Sequence, residues 1–146
     1  MKLEVKIDSS YMEPKVIILT ASMNEEVNTL LNKLSEQEPQ IMTGSKDHKV
    51  EVIEQVDLIR IYASSGKVFA VTHKGEYELR HRLYEIEEML PSYPFVRISN
   101  SEIINLKNVQ NFDLSLTGTI CVKFKDDTIT YVSRRYVSKL KKILGI

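Results

Sequence analysis

At 146 residues the chain is the size of one domain with room for a short extension, long enough to bury a real core. With 42% hydrophobic and 27% charged residues and few Gly and Pro, its composition excludes collagen-like, low-complexity and disulfide-stapled classes. The net charge is zero, yet residues 1–90 hold 11 Lys+Arg against 16 Asp+Glu and residues 91–146 hold 9 against 4, so portions of −5 and +5 cancel. That distribution points to a basic face at the C-terminal end, which a whole-chain charge would hide. No apolar run approaches the roughly 18 residues that span a bilayer, and no secretory leader pattern opens the chain, so a cytoplasmic protein without membrane insertion is expected.

Met1 to Asp8 alternates Leu3, Val5 and Ile7 with Lys2, Glu4 and Lys6, a period of two that predicts a strand with one buried face. Val16 to Leu19 reads as a second strand. Ser22-Met23-Asn24-Glu25 fits a capping box, after which Val27, Leu30, Leu31 and Leu34 line one side of a helix. Ser35 to Gln40, with Pro39 and no periodicity, reads as a linker, and Ile41 to Thr43 resumes as a strand. Residues 1–45 are thus expected to form a strand-and-helix extension, and residues 46–146 a second domain. Its class is expected to be α+β, mainly antiparallel β with short helices.

From Lys49 the pattern is β-rich: Val50 and Val52, Leu58 to Tyr62, Val68 to Thr72, and Tyr77 to Arg80. Ser64-Ser65-Gly66-Lys67 and Lys74-Gly75 separate the last three runs and read as hairpin turns. Leu83, Ile86 and Leu90 follow at helical spacing until Pro91 stops the helix. The single cysteine, Cys121, lies in a strand pattern and reads as a small packed apolar residue.

The functional signal lies in Phe95 to Ile146. Val109 to Leu116 and Thr119 to Lys125 flank Gly118 as a hairpin, and Asp126-Asp127 turns the chain into Thr128 to Val132. Ser133 suits an N-cap and Gly145 a helix end, with Tyr136, Val137, Leu140, Ile143 and Leu144 forming one apolar face between them. Arg134 and Arg135 open that helix, where cations face the positive end of the macrodipole at a cost of roughly 0.3–1 kcal/mol each. An anionic partner would remove the cost.

Upstream, Phe95-Val-Arg-Ile-Ser-Asn-Ser-Glu-Ile-Ile-Asn-Leu106 sets an aromatic and an arginine before three small hydrogen-bonding residues, then returns to apolar ones. Asn105, flanked by Ile104 and Leu106, is expected to be structural. This run, followed at the right distance by Tyr131-Val-Ser-Arg-Arg-Tyr136 and Leu140-Lys-Lys-Ile-Leu-Gly145, resembles the LytTR DNA-binding domain of bacterial transcription regulators. The resemblance is close over Phe95 to Gly145 and looser over about Val50 to Leu90.

The resemblance implies a mainly antiparallel β fold whose loops enter successive major grooves of double-stranded DNA at repeated promoter sites. The loops matching the family's reading loops are Ser64 to Lys67, Ser99 to Ser101 and Val132 to Arg135. Asn100 and Arg135 are expected to read bases, since Asn can bond adenine and Arg guanine in bidentate fashion. Lys67, Arg97, Ser101 and Arg134 are expected to hold phosphates or shape the loops. The first loop departs from the family in offering only Lys67 as a long cation. No phospho-acceptor receiver domain fits into the N-terminal third. The family's repeated half-sites imply a second copy on DNA, and short relatives with such an extension imply a small membrane inhibitor protein.

Enzyme chemistry finds no support. His48, His73 and His81 lack metal-ligand spacing, and there is no Cys pair, nucleophile elbow or phosphate-cradling glycine loop. No cofactor, metal or catalytic residue is therefore expected. The alternative from another class is a non-catalytic protein-interaction or ligand-sensing module whose basic edge binds an acidic partner.

Overall fold

The computed structural model describes residues 1–35 and 41–146. The chain divides into two units, Met1–Pro39 and Gln40–Ile146. In the first, the described regular element is helix α1 (Glu25–Leu34). Its N-cap is Asn24, whose Oδ1 accepts from the Val27 amide at 2.9 Å, two residues later than the expected capping box. The strands expected over Met1 to Asp8 and Val16 to Leu19 do not form, and Leu3, Val5 and Ile7 are exposed. A period-two pattern supplies a face, but a strand also needs a neighbour to take its backbone hydrogen bonds, and among the described residues none pairs with either segment. Most of the linker expected over Ser35 to Gln40 lies outside the described residues.

The second unit begins with β1 (Met42–Lys46) and β2 (Lys49–Ile53), continues with β3 (Leu58–Ser64), β4 (Lys67–Thr72) and β5 (Gly75–Leu79), and reaches helix α2 (Leu83–Met89). Strands β6 (Phe95–Ser99), β7 (Glu102–Asn105), β8 (Val109–Asp113), β9 (Ile120–Phe124) and β10 (Ile129–Val132) follow, and α3 (Arg134–Leu144) closes it. Seven strands form one sheet in the order β2-β1-β5-β4-β3-β7-β6, and three form another in the order β10-β9-β8. All pairings are antiparallel.

The hairpin expectations follow from turn chemistry. Ser65 and Gly66, between β3 and β4, have φ of 52° and 78°, the pair of positive angles that a two-residue hairpin loop matched to strand twist requires. Gly145, at φ 73°, ends α3.

The large sheet is buried on both faces. On one, Leu58, Ile61, Ala70, Tyr77 and Ile103 pack with Leu83, Ile86 and Leu90 of the α2 region. On the other, Ile59, Val96, Ile98 and Ile104 pack with Ile120, Val122, Phe124 and Val132 of the small sheet and with Leu140 of α3. Ile59 and Ile61 would share a face in a regular strand; a register shift between Leu58 and Arg60 sends them to opposite layers. Cys121 lies in β9 but alternates away from buried Ile120 and Val122 and is half-buried, not a core residue.

Asn105, 2% exposed, donates from Nδ2 to the Leu58 carbonyl at 2.8 Å and accepts at Oδ1 from the Lys107 amide at 3.0 Å. Asn108 reaches the same carbonyl at 2.7 Å. These amides fasten the turn after β7 to the start of β3. Asn105→Ala should lower the unfolding free energy by about 1–3 kcal/mol, because a part-buried amide loses its acceptor. Urea denaturation measures this, and an unchanged midpoint would remove the structural role.

Candidate nucleic-acid interface

Antiparallel pairing decides which turns share an end of the sheet. Because Tyr62 pairs with Glu102 and the Ala63 amide donates to the Ser101 carbonyl at 2.8 Å, the β3–β4 turn and the β6–β7 turn lie side by side. The Ser133 amide donates to the Ile98 carbonyl at 3.0 Å, bringing the start of α3 to the same end. The three segments singled out in the sequence, Ser64 to Lys67, Ser99 to Ser101 and Val132 to Arg135, therefore converge.

The middle turn is held by Arg97. Its Nε donates to the Ser99 carbonyl at 2.7 Å and one terminal nitrogen to the Asn100 carbonyl at 2.6 Å, while the other pairs with Glu87 of α2 at 2.5 Å. With its side chain 13% exposed and its charge paired, Arg97 shapes the loop and does not reach out from it. Ser101 donates its amide to Ser99 Oγ at 3.1 Å, closing the turn from the other side. Asn100 is exposed, and its Oδ1 accepts from the Tyr136 hydroxyl at 3.3 Å, joining the turn to the first helical turn of α3.

Arg134 and Arg135 are both exposed, and among the described residues neither takes part in an ion pair. Ser133 occupies the N-cap position, but its hydroxyl makes no capping hydrogen bond. The N-terminal end of α3 thus carries two cations and lacks the side-chain acceptor expected there. Lys67 is exposed at the start of β4, its Nζ 3.8 Å from Glu78, a loose pairing that leaves the ammonium in water. On β3, Tyr62 donates to Glu76, and that carboxylate pushes the phenol above its ordinary pKa.

Two further contributors come from outside the three segments. Tyr136 belongs by its spacing to the apolar face of α3, yet its hydroxyl donates to Asn100. The β8–β9 loop, residues 114–119, also lies at this end: Thr119 Oγ1 donates to the Val132 carbonyl at 2.8 Å, and a side chain at Gly118 would lie 3.5 Å from Arg134 Nε. The strands expected over Val109 to Leu116 and Thr119 to Lys125 are shorter than their apolar patterns, ending at Asp113 and beginning at Ile120, so the connection is residues 114–119 and not a tight turn at Gly118. Among the described residues no cluster of three or more His, Cys, Asp or Glu could hold a metal, and no helix is long and apolar enough to cross a membrane.

The LytTr DNA-binding domain model matches residues 48–145. HTH-type transcriptional regulators of Staphylococcus aureus strains NCTC 8325 and COL are each 33% identical to this chain, covering 100% of it and 99% of their own length. Among solved structures, the LytTr DNA-binding domain of a Bacillus cereus protein superposes with a TM-score of 0.70 at 20% identity, over 73% of this chain and 97% of that one. The family model covers two thirds of the chain, and the chain belongs to the LytTR family of DNA-binding domains.

Proposed function

We propose that the protein is a cytoplasmic, non-enzymatic transcription regulator that reads double-stranded DNA sequence-specifically at repeated half-sites, with the unit that holds the two sheets as the reading part and the residues before it as an extension. The observation that carries this reading is the convergence of the turns at Ser64–Lys67 and Ser99–Ser101 with the arginine-bearing start of α3. Loops set side by side at one end of a sheet can follow a duplex and enter adjacent grooves. Repeated half-sites place two copies on one face of the DNA. The relatives' description as transcriptional regulators supports the same reading. A small membrane protein as inhibitor belongs to the proposal as a partner class. Selection from random duplexes tests it: a recurring repeated motif is expected, and recovery of no sequence by folded protein would refute it.

Asn100 and Arg135 are assigned to bases. The carboxamide oxygen of Asn100 has two lone pairs, so accepting from Tyr136 leaves one lone pair and the amide donors for an adenine edge. Asn100→Ala should weaken cognate binding by about 1–3 kcal/mol with the fold intact. A fluorescence-anisotropy titration beside a thermal melt measures both, and a lowered melting temperature with unchanged affinity would make Asn100 structural.

Arg134 and Arg135 should behave differently, because adjacent helical residues point about 100° apart. Arg134 lies by Gly118 and is assigned to phosphate, together with Lys67 and Ser101. Arg97 contributes by shaping the loop. Arg135→Ala should cost more on cognate than on random duplex and relax preference at one base pair. Arg134→Ala should weaken both duplexes alike and reduce the salt slope by about one. Titrations of each variant on both duplexes at two salt concentrations check this. Equal losses for Arg135→Ala would move base reading elsewhere.

A further inference from the structure

The first unit poses a problem that the DNA-reading loops do not address. Among its described residues only Val27 is buried, and Ile18 and Leu30 are half-buried. Units below about 40 residues rarely hold together without a disulfide, a metal or a second chain. Val16, Ile18, Met23, Val27, Leu31 and Leu34 line an open apolar groove of about 450 Å³ within this unit. Beside this, Leu3, Val5 and Ile7 are 93%, 76% and 97% exposed on a segment with no described strand partner.

The charges of that segment say what would pair with it. In an extended strand Lys2, Glu4, Lys6 and Asp8 would occupy the face opposite Leu3, Val5 and Ile7. Laid antiparallel against an identical segment with Val5 facing Val5, Lys2 meets Asp8, Glu4 meets Lys6, and Leu3 meets Ile7. Moving the centre to Glu4 sets Lys2 against Lys6 and Glu4 against itself. Moving it to Lys6 sets Glu4 against Asp8 and Lys6 against itself. A shift by one residue puts apolar side chains opposite charged ones, and a parallel in-register pair stacks every charge on its like. The Val5-centred antiparallel register satisfies all four charges.

We propose that Lys2 to Asp8 is a self-complementary strand that pairs with the same segment of a second copy of this chain, about a two-fold axis through Val5, and so makes the protein a dimer without DNA. An interface in which residue i meets j and j meets i is the isologous contact that closed two-fold dimers use. Pairing also turns six apolar side chains onto one face of the new ribbon, and each copy supplies an open apolar groove to cover it.

The test uses the full chain in the absence of DNA, so its outcome is independent of whether the loops read sequence. Lys2→Glu with Lys6→Glu makes the strand wholly acidic, and Glu4→Lys with Asp8→Lys makes it wholly basic. In sedimentation equilibrium the natural chain should be a dimer, each charge variant alone should dissociate at least tenfold more readily, and an equimolar mixture should recover dimers holding one of each. Circular dichroism confirms that both variants remain folded. In a Cys121→Ser background, Val5→Cys should cross-link to its own copy on oxidation, whereas Leu3→Cys should cross-link only when mixed with Ile7→Cys. A monomeric natural chain, variants that dimerise unchanged through another surface, or a mixture that stays monomeric would each overturn the proposal.

Discussion

The two sheets pack through an apolar layer, and a buried carboxylate adds a polar contact across it. Glu102, 8% exposed at the start of β7, accepts from Arg60 of β3 at 3.0 Å and from the Thr130 hydroxyl of β10 at 2.7 Å. A carboxylate so placed is tolerable only while its oxygens are satisfied, and of its two partners Arg60 comes from the same sheet and Thr130 from the other. The Thr130 hydrogen bond, together with the apolar packing of Val132, fixes where β10 sits on the large sheet. That same arrangement delivers the start of α3 to the Ser99–Ser101 turn.

Most of the second unit could be read from the sequence because its signals are local. Ser65-Gly66 supplies the positive φ angles that its turn needs, Pro91 lies just beyond α2, and Gly145 closes α3. Where non-local pairing decides, the sequence was silent or misleading. Leu3, Val5 and Ile7 show a strand's alternation but have no described partner, and Cys121 sits in a strand whose core-facing parity only the register reveals. The helical face of α3 is likewise only partly used: Leu140 is buried, while Ile143 stays 44% exposed.

The candidate site was legible as three segments but not as a surface. Nothing local says that Arg97 spends its guanidinium on the Ser99 and Asn100 carbonyls and on Glu87, since Glu87 comes from a helix that packs there only after folding. The Tyr136–Asn100 hydrogen bond crosses 36 positions of sequence and depends on the β10–α3 connection being placed first. The outcome is a division of labour among cations: Arg97 is consumed in making the loop, and Arg134 and Arg135 are left exposed.

The central claim is that duplex DNA meets this one end of the sheets. Backbone amide shifts of the full chain, followed by NMR as duplex is added, address it most directly. The account predicts that changes concentrate at residues 64–67, 99–101 and 133–136, while the turns at His73–Lys74 and Asp126–Asp127, at the opposite ends of β4 and β9, stay still. Changes centred on those opposite turns, with the Asn100 and Arg135 amides unmoved at saturation, would contradict it.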